Sequence, residues 1–207
     1  DNTGCGNTFS AGKPHGVRLV IDSLRWWSQV IGVDGFRFDL SKGFTQVNSG
    51  SNVGLWGNYD ASRVAIWKRY YDTVQAKAAG AYAILEHFAD NTEEKELSDY
   101  GMMFWGNLNY NFTEAAMGFV GNSNFDWALH TSRGWSQPNL MAYMESHDEE
   151  RMMYKNTNFG SSGSGYNIKT LSTGLKRAEL TASFFLTMPG PDRKSTRLNS
   201  SHITISY

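Results

Sequence analysis

The sequence is short of several things, and each shortage removes a class of function. It holds a single cysteine, Cys5, so no disulfide can form within the chain, and a buried or loop thiol is the simplest reading of that residue. Lysine and arginine number 19 against 20 aspartate and glutamate, a formal net charge of -1 that leaves no electrostatic footprint for nucleic acid or an anionic membrane surface. No apolar run approaches the ~20 residues that a helical membrane span needs. His and Cys residues nowhere take zinc-ligand spacing, and no glycine-rich phosphate loop is present. What remains is ordinary for one globular core: 207 residues, 40% of them hydrophobic.

The most informative stretch runs from Ile31 to Lys42, an apolar segment that ends in charge. Side chains alternate faces along a strand, so Arg37 and Asp39 share one face, while Phe36, Phe38 and Leu40 share the other. The apolar face calls for cover by helices. The charged face is tolerable only if its groups pair, and a cation beside Asp39 favours the carboxylate. That makes Asp39 either a nucleophile or half of a structural ion pair. Two further apolar runs also end in acids: Ala81 to Phe88 carries Glu86, and Leu140 to Asp148 ends in His147 and Asp148. Acids placed where an apolar strand gives way to a polar loop occupy the positions of catalytic groups in a parallel barrel.

Taken together, these three segments resemble the α-amylase family of retaining α-glucan-active glycoside hydrolases. Gly35-Phe36-Arg37-Phe38-Asp39-Leu40-Ser41-Lys42 matches the family's nucleophile strand, Leu85-Glu86 its acid/base strand, and Ser146-His147-Asp148 its third acidic segment. The resemblance implies an α/β fold, the (β/α)8 TIM barrel, of which this chain would cover about strands 4–7 and the intervening helices. It implies Asp39 as nucleophile, Glu86 as general acid/base and Asp148 as a third carboxylate that favours the cationic transition state. Arg37, Lys42 and His147 would be substrate-binding residues. For Lys42 the alternative is a solvated surface lysine, and for His147 a histidine that braces Asp148. No cofactor is required for such chemistry, although a structural calcium is compatible with the family. An α-glucan oligo- or polysaccharide would be the partner. Polymer-degrading members are often secreted or periplasmic.

Read in order, the chain begins with a loop over 1–14, then a helix through Val17, Val20, Ile21, Leu24, Trp27 and Ile31. A Gly/Ser/Asn-rich stretch from Gly43 to Asn58 follows the Asp39 strand, and helical spacing resumes from Val64 to Ala78, with Gly80 as its stop. Asp90 to Asp99 reads as a short solvated helix, Met102 to Leu108 as a strand, and Thr113 as the cap of a helix through Ala115, Met117 and Phe119. A loop is expected from Asn156 to Asn167, a helix from Leu171 to Ala182, and the approach to another strand from Phe184 to Pro191. Trp56, Trp105, Tyr110 and Trp135 are candidate platforms for sugar rings, with core packing as the alternative, and His87 is a candidate for product-side contacts.

A complete barrel needs about 250 residues. The chain is therefore read as an internal fragment, with residues 1–191 a partial catalytic barrel and 192–207, where composition turns abruptly to Arg, Lys, Ser and Thr, a non-native tail. Such a fragment would expose unpaired strand edges and is expected to fold poorly alone. Within the same family, a transglycosylase or branching enzyme fits the triad as well as a hydrolase does. A carbohydrate-binding barrel without turnover is the reading from another class.

Overall fold

The computed structural model describes residues 12–163 and 165–190, so Cys5 and the proposed tail over 192–207 lie outside the described residues. The described chain divides into two compact units: residues up to Trp105 together with Arg133–Asn139, and Gly106–Ser132 together with the residues from Leu140 onward. Parallel strands linked through helices in both the β1-to-β2 and β2-to-β3 connections make it an α/β protein. No described helix is long and apolar enough to cross a membrane.

In the first unit, α1 (Pro14–Trp26) opens on a proline, whose missing N–H costs nothing in a first helical turn. It passes into a wider π-helical turn (Trp27–Ile31), which Gly32 ends in the left-handed region at φ 81°. β1 (Gly35–Phe38) then pairs in parallel with β2 (Tyr82–Leu85), Gly35 opposite Tyr82 and Phe38 opposite Leu85. Gly35 is required there, since a Cβ would lie 2.6 Å from that of Tyr82. The crossover between them is α2 (Ala61–Lys77), started by Asp60, whose carboxylate accepts the backbone N–H groups of Ser62 and Arg63. α2 buries Val64, Trp67, Tyr70 and Val74, and Phe38 and Phe44 pack on the Trp67 ring at centroid distances of 4.9 and 4.5 Å. α3 (Asn91–Tyr100) leads to β3 (Met103–Asn107), which pairs in parallel with β2 through Ile84–Met103 and Leu85–Phe104. The segment from Arg133 to Asn139 is tied to α3 by Arg133 on Glu94, Trp135 on Asn91 and Asn139 on the Ser98 carbonyl.

The second unit takes the last two residues of β3, then α4 (Asn109–Met117), β4 (Leu140–Tyr143), α5 (Met152–Phe159), a hairpin of β5 (Ser162–Gly163) and β6 (Tyr166–Asn167), and α6 (Leu171–Leu186). Gly106 allows β4 to approach, since a Cβ there would stand 2.7 Å from a Leu140 methyl. The apolar core is built on Phe112, which stacks on Phe125 at 4.4 Å and meets Phe185 edge-on at 5.6 Å.

Several local expectations change. Thr113 does not cap α4; it lies buried within the helix and bonds back to the Asn109 carbonyl at 2.7 Å, as helical threonines do. α3 is not solvated on all sides, because Glu93 and Glu94 are buried within it. The Asn156–Asn167 stretch holds the end of α5 and the short hairpin instead of a plain loop. Phe184–Leu186 completes α6, and a turn follows, so the run read as a strand approach is helical. The segments holding the acids also differ from simple strand continuations: β1 stops at Phe38, β2 at Leu85 and β4 at Tyr143, leaving each acid on the connection that follows.

Candidate active site

The ends of β1 and β2 place Asp39 and Glu86 side by side in the first unit. Phe38 and Glu86 are locked by the Glu86 N–H donating to the Phe38 carbonyl at 3.0 Å, and Ser41 N–H donates to the Glu86 carbonyl at 2.9 Å. Between them the chain turns sharply, because Leu40 adopts a left-handed φ of 44°, a conformation that costs a non-glycine residue on the order of 1–3 kcal/mol. The turn takes Leu40 off the apolar face that strand alternation assigned to it and aims its N–H at Glu86 Oε2, 3.1 Å away. Phe88, two residues beyond Glu86, is the other non-glycine residue with positive φ, at 50°, among the described residues. Both strained residues flank the two acids.

Arg37 bridges the carboxylates: Nη1 lies 2.7 Å from Asp39 Oδ1 and Nη2 2.9 Å from Glu86 Oε2. Its guanidinium also lies over the Trp105 ring at 5.2 Å, a cation–π contact that fixes its plane. The two acids sit in unlike surroundings. The Asp39 side chain is 77% exposed and that of Glu86 only 12%. Burial pushes the Glu86 carboxyl above its ordinary range, and the hydrogen bond and charge of Asp39 add to this; the Leu40 N–H and Arg37 pull the other way without cancelling it. One carboxyl open to solvent and one held toward its protonated form is the division of labour a nucleophile and a general acid require.

Lys42 sits on the short 3-10 turn Ser41–Phe44, half-buried, with Nζ 3.5 Å from the Phe88 carbonyl. Gly43 follows, and a Cβ at that position would press on the Trp56 ring at 3.2 Å. His87 is no surface ligand: it is fully buried, with Nδ1 2.7 Å from Ser41 Oγ and Nε2 2.8 Å from Glu93 Oε1. Trp56 and Trp135 are likewise core residues, 6% and 3% exposed, their indole N–H groups bonded to Ser49 and Asn91. Trp105, half-buried against Arg37, and the exposed Tyr110 keep part of their rings accessible.

In the second unit, His147 and Asp148 lie on the exposed connection after β4, His147 Nε2 3.3 Å from Asp148 Oδ1. Glu149, which the sequence reading passed over, shapes this connection. Its carboxylate accepts the Ser146 N–H at 2.9 Å, the Ser146 hydroxyl at 2.6 Å, the Asn107 amide at 2.6 Å and the Tyr143 hydroxyl at 3.2 Å. The signal was available: Ser146 with Glu149 three residues on is the capping-box spacing, here used to close a turn. Arg63 and Glu93 were also missed, and α3's acidic composition concealed the second of them. Among the described residues, no group of three or more His, Cys, Asp and Glu side chains is placed to hold a metal ion, and no chemical step is assigned to one.

An arginine-bridged pair of unlike carboxyls at the ends of parallel strands has the geometry that acid-assisted nucleophilic chemistry uses, within an α/β protein. No family model matches the chain. Among curated proteins it is similar to an isoamylase of Pseudomonas amyloderamosa, 30% identical over 178 residues, with 72% of this chain and 22% of the relative covered. A glycogen operon protein GlgX homolog of Mycobacterium tuberculosis is 54% identical over 41 residues, 20% of this chain and 6% of the relative. A 1,4-alpha-glucan-branching enzyme of Solanum tuberosum is 27% identical over 157 residues, 64% of this chain and 17% of the relative. The chain thus spans less than a quarter of the length of these curated relatives. It belongs to the α-amylase family.

Proposed function

We propose that this chain carries the nucleophile and the general acid of a retaining glycoside hydrolase, within part of a (β/α)8 barrel, acting on α-glucosidic bonds in starch- or glycogen-like glucans. The unlike pair Asp39 and Glu86, bridged by Arg37, is the observation that carries the proposal. In the first step the Asp39 carboxylate attacks the anomeric carbon, the glycosidic C–O bond breaks, and Glu86 gives its proton to the departing sugar oxygen. In the second, water attacks the same carbon, Glu86 takes the water's proton, and the bond to Asp39 breaks. Both carboxyls pair with the one Arg37 guanidinium, at 2.7 and 2.9 Å, and that closeness favours this over an inverting mechanism, which needs a water between acids ~6.5–9.5 Å apart.

The family resemblance assigns Asp148 the role of a third carboxylate favouring the cationic transition state, and His147 that of a donor to sugar hydroxyls. In the first unit, Lys42 and Arg37 are the assigned substrate contacts beside Asp39 and Glu86. The names of the relatives, isoamylase and glycogen debranching enzyme among them, favour a branched α-glucan as substrate over a strictly linear one. A glucanotransferase reading draws support from the similarity to a branching enzyme. In that case a sugar hydroxyl replaces water in the second step.

The test is reducing-sugar release from a branched α-glucan by the product of the open reading frame that carries this chain, with Asp39→Asn beside it. Hydrolysis by the wild type, with a loss on the order of 10⁴-fold or more in the variant, is expected. Transfer products without net reducing-sugar release would turn the assignment to a transferase, and no change in the variant would remove Asp39 from the chemistry.

A further inference from the structure

A second charged cluster lies directly behind Glu86 in the first unit and touches no solvent. Arg63 and Glu93 are both 0% exposed, as are Ser41 and His87. All five guanidinium N–H donors of Arg63 are used: Nε and Nη2 on Glu93, Nη1 on the Lys42 and Trp56 carbonyls, and Nη2 again on the Asn58 carbonyl. Glu93 is equally saturated, accepting Arg63 twice, His87 at Oε1, and the Asp60 N–H at Oε2. Burial alone would raise the Glu93 carboxyl, but the hydrogen bonds from His87, Arg63 and Asp60 outweigh it and hold the group below its usual range. A carboxylate only accepts, so His87 Nε2 donates to it. Burial keeps the imidazole neutral, which leaves Nδ1 as an acceptor facing the Ser41 hydroxyl.

The trio superficially has the composition of a serine nucleophile set. Its complete burial and the exhausted acceptors of Glu93 exclude that role. What it can do is hold its neighbour. The Ser41 hydroxyl oxygen lies 2.7 Å from His87 Nδ1 and 2.9 Å from the Glu86 carbonyl, and the Ser41 N–H donates to that same carbonyl. Ser41 is itself fixed by the Trp67 indole N–H on its carbonyl at 3.2 Å. A serine hydroxyl has one proton, and with that proton on His87 Nδ1 the link to Glu86 is the Ser41 N–H on its carbonyl. The chain therefore runs from the Arg63–Glu93 pair through His87 to the Ser41 side chain, and ends through the Ser41 N–H on the backbone of Glu86.

We propose that Glu93, His87 and Ser41 form a positioning relay that fixes the backbone of Glu86, and with it the aim of its carboxyl at the departing sugar oxygen. The proposal rests on the hydrolase reading given above. None of the three touches substrate. The relay sets the tautomer of His87, and so commits the Ser41 hydroxyl, in a site closed to water. A displacement of even about 1 Å in a proton donor can cost on the order of 10²-fold in rate.

Because the relay acts through proton delivery, it should matter only where a proton is needed. The experiment compares Ser41→Ala with wild type, both as the product of the full open reading frame, on a branched α-glucan and on α-maltosyl fluoride. Fluoride departs as an anion and takes no proton, and kcat/KM reports only the first bond cleavage. Ser41→Ala is expected to lower kcat/KM on the glucan about tenfold while staying within about twofold of wild type on the fluoride. Ser41→Thr, which restores the hydroxyl, should recover most of the glucan activity, and Ser41→Cys replaces Ser41→Ala if that variant fails to fold. An equal loss on both substrates would overturn the relay and leave the hydrolase reading standing. Cleavage of neither substrate by the wild type would overturn both.

Discussion

The arginine–carboxylate clusters around Arg63 and Arg37, both in the first unit, solve opposite problems. Around Arg63 every donor and acceptor is matched, the side chains of Arg63 and Glu93 are 0% exposed, and no group is left over for a ligand. Around Arg37 the same chemistry is arranged openly: Asp39 is 77% exposed, Glu86 is displaced from its ordinary protonation range, and the turn that joins them is strained at Leu40. A saturated cluster is a structural part, since anything it could bind would have to displace a bond it already makes. An exposed, unequal one is where reaction can occur.

Removing the guanidinium from each cluster separates the two. Arg63→Met strands the Glu93 carboxylate in the core, and an uncompensated buried charge costs about 3–5 kcal/mol. Chemical denaturation should show that loss directly, together with release of the Lys42-to-Asn58 segment, whose carbonyls Arg63 holds. Arg37→Met should lower kcat/KM on the order of 10²-fold while changing stability little, because Asp39 can return to water. If the two variants lose stability equally, the distinction between a sealed and an open cluster fails.

A smaller effect follows from protonation. His87 is kept neutral by burial, whereas the unfolded chain binds a proton on it near pH 6.5, so the unfolded state carries more protons just below that value. Glu93 acts in the same direction at lower pH, since its folded carboxyl stays below the ordinary 4.5. Stability is therefore present above pH 6.5 and is lost as pH falls through the depressed folded values of His87 and then Glu93. Urea midpoints measured between pH 7 and pH 4 should fall with acidity, and a flat profile would contradict the neutral, buried assignment of His87.

Much of the open cluster was legible in the sequence, and little of the sealed one. Strand alternation alone put Arg37 and Asp39 on one face, and the end of an apolar run marked Glu86, because these relations are local. The bond between Arg63 and Glu93 joins residues 30 positions apart, and nothing local marks it. Glu93 stood within a run of acids that normally face water, and only the fold puts an arginine and a histidine against it. The tryptophans failed for a related reason: composition raised Trp56 and Trp135 as platforms, but burial depends on what packs over them. Phe184–Leu186 was read as a strand approach because a short apolar run has no period long enough to separate strand from helix. The ends of β1 and β2 were placed correctly in kind, but not the left-handed Leu40 that shapes the pair, since leucine is no signal for that conformation.

The most direct measurement is to trap the covalent intermediate. The product of the full open reading frame would be incubated with a slowly released fluorinated maltosyl fluoride, digested, and mapped by mass spectrometry. A sugar adduct on the peptide carrying Asp39, absent from Asp39→Asn, is the expected result. An adduct on Glu86 in its place, or steady turnover with no adduct on either acid, would contradict the assignment of Asp39 as nucleophile.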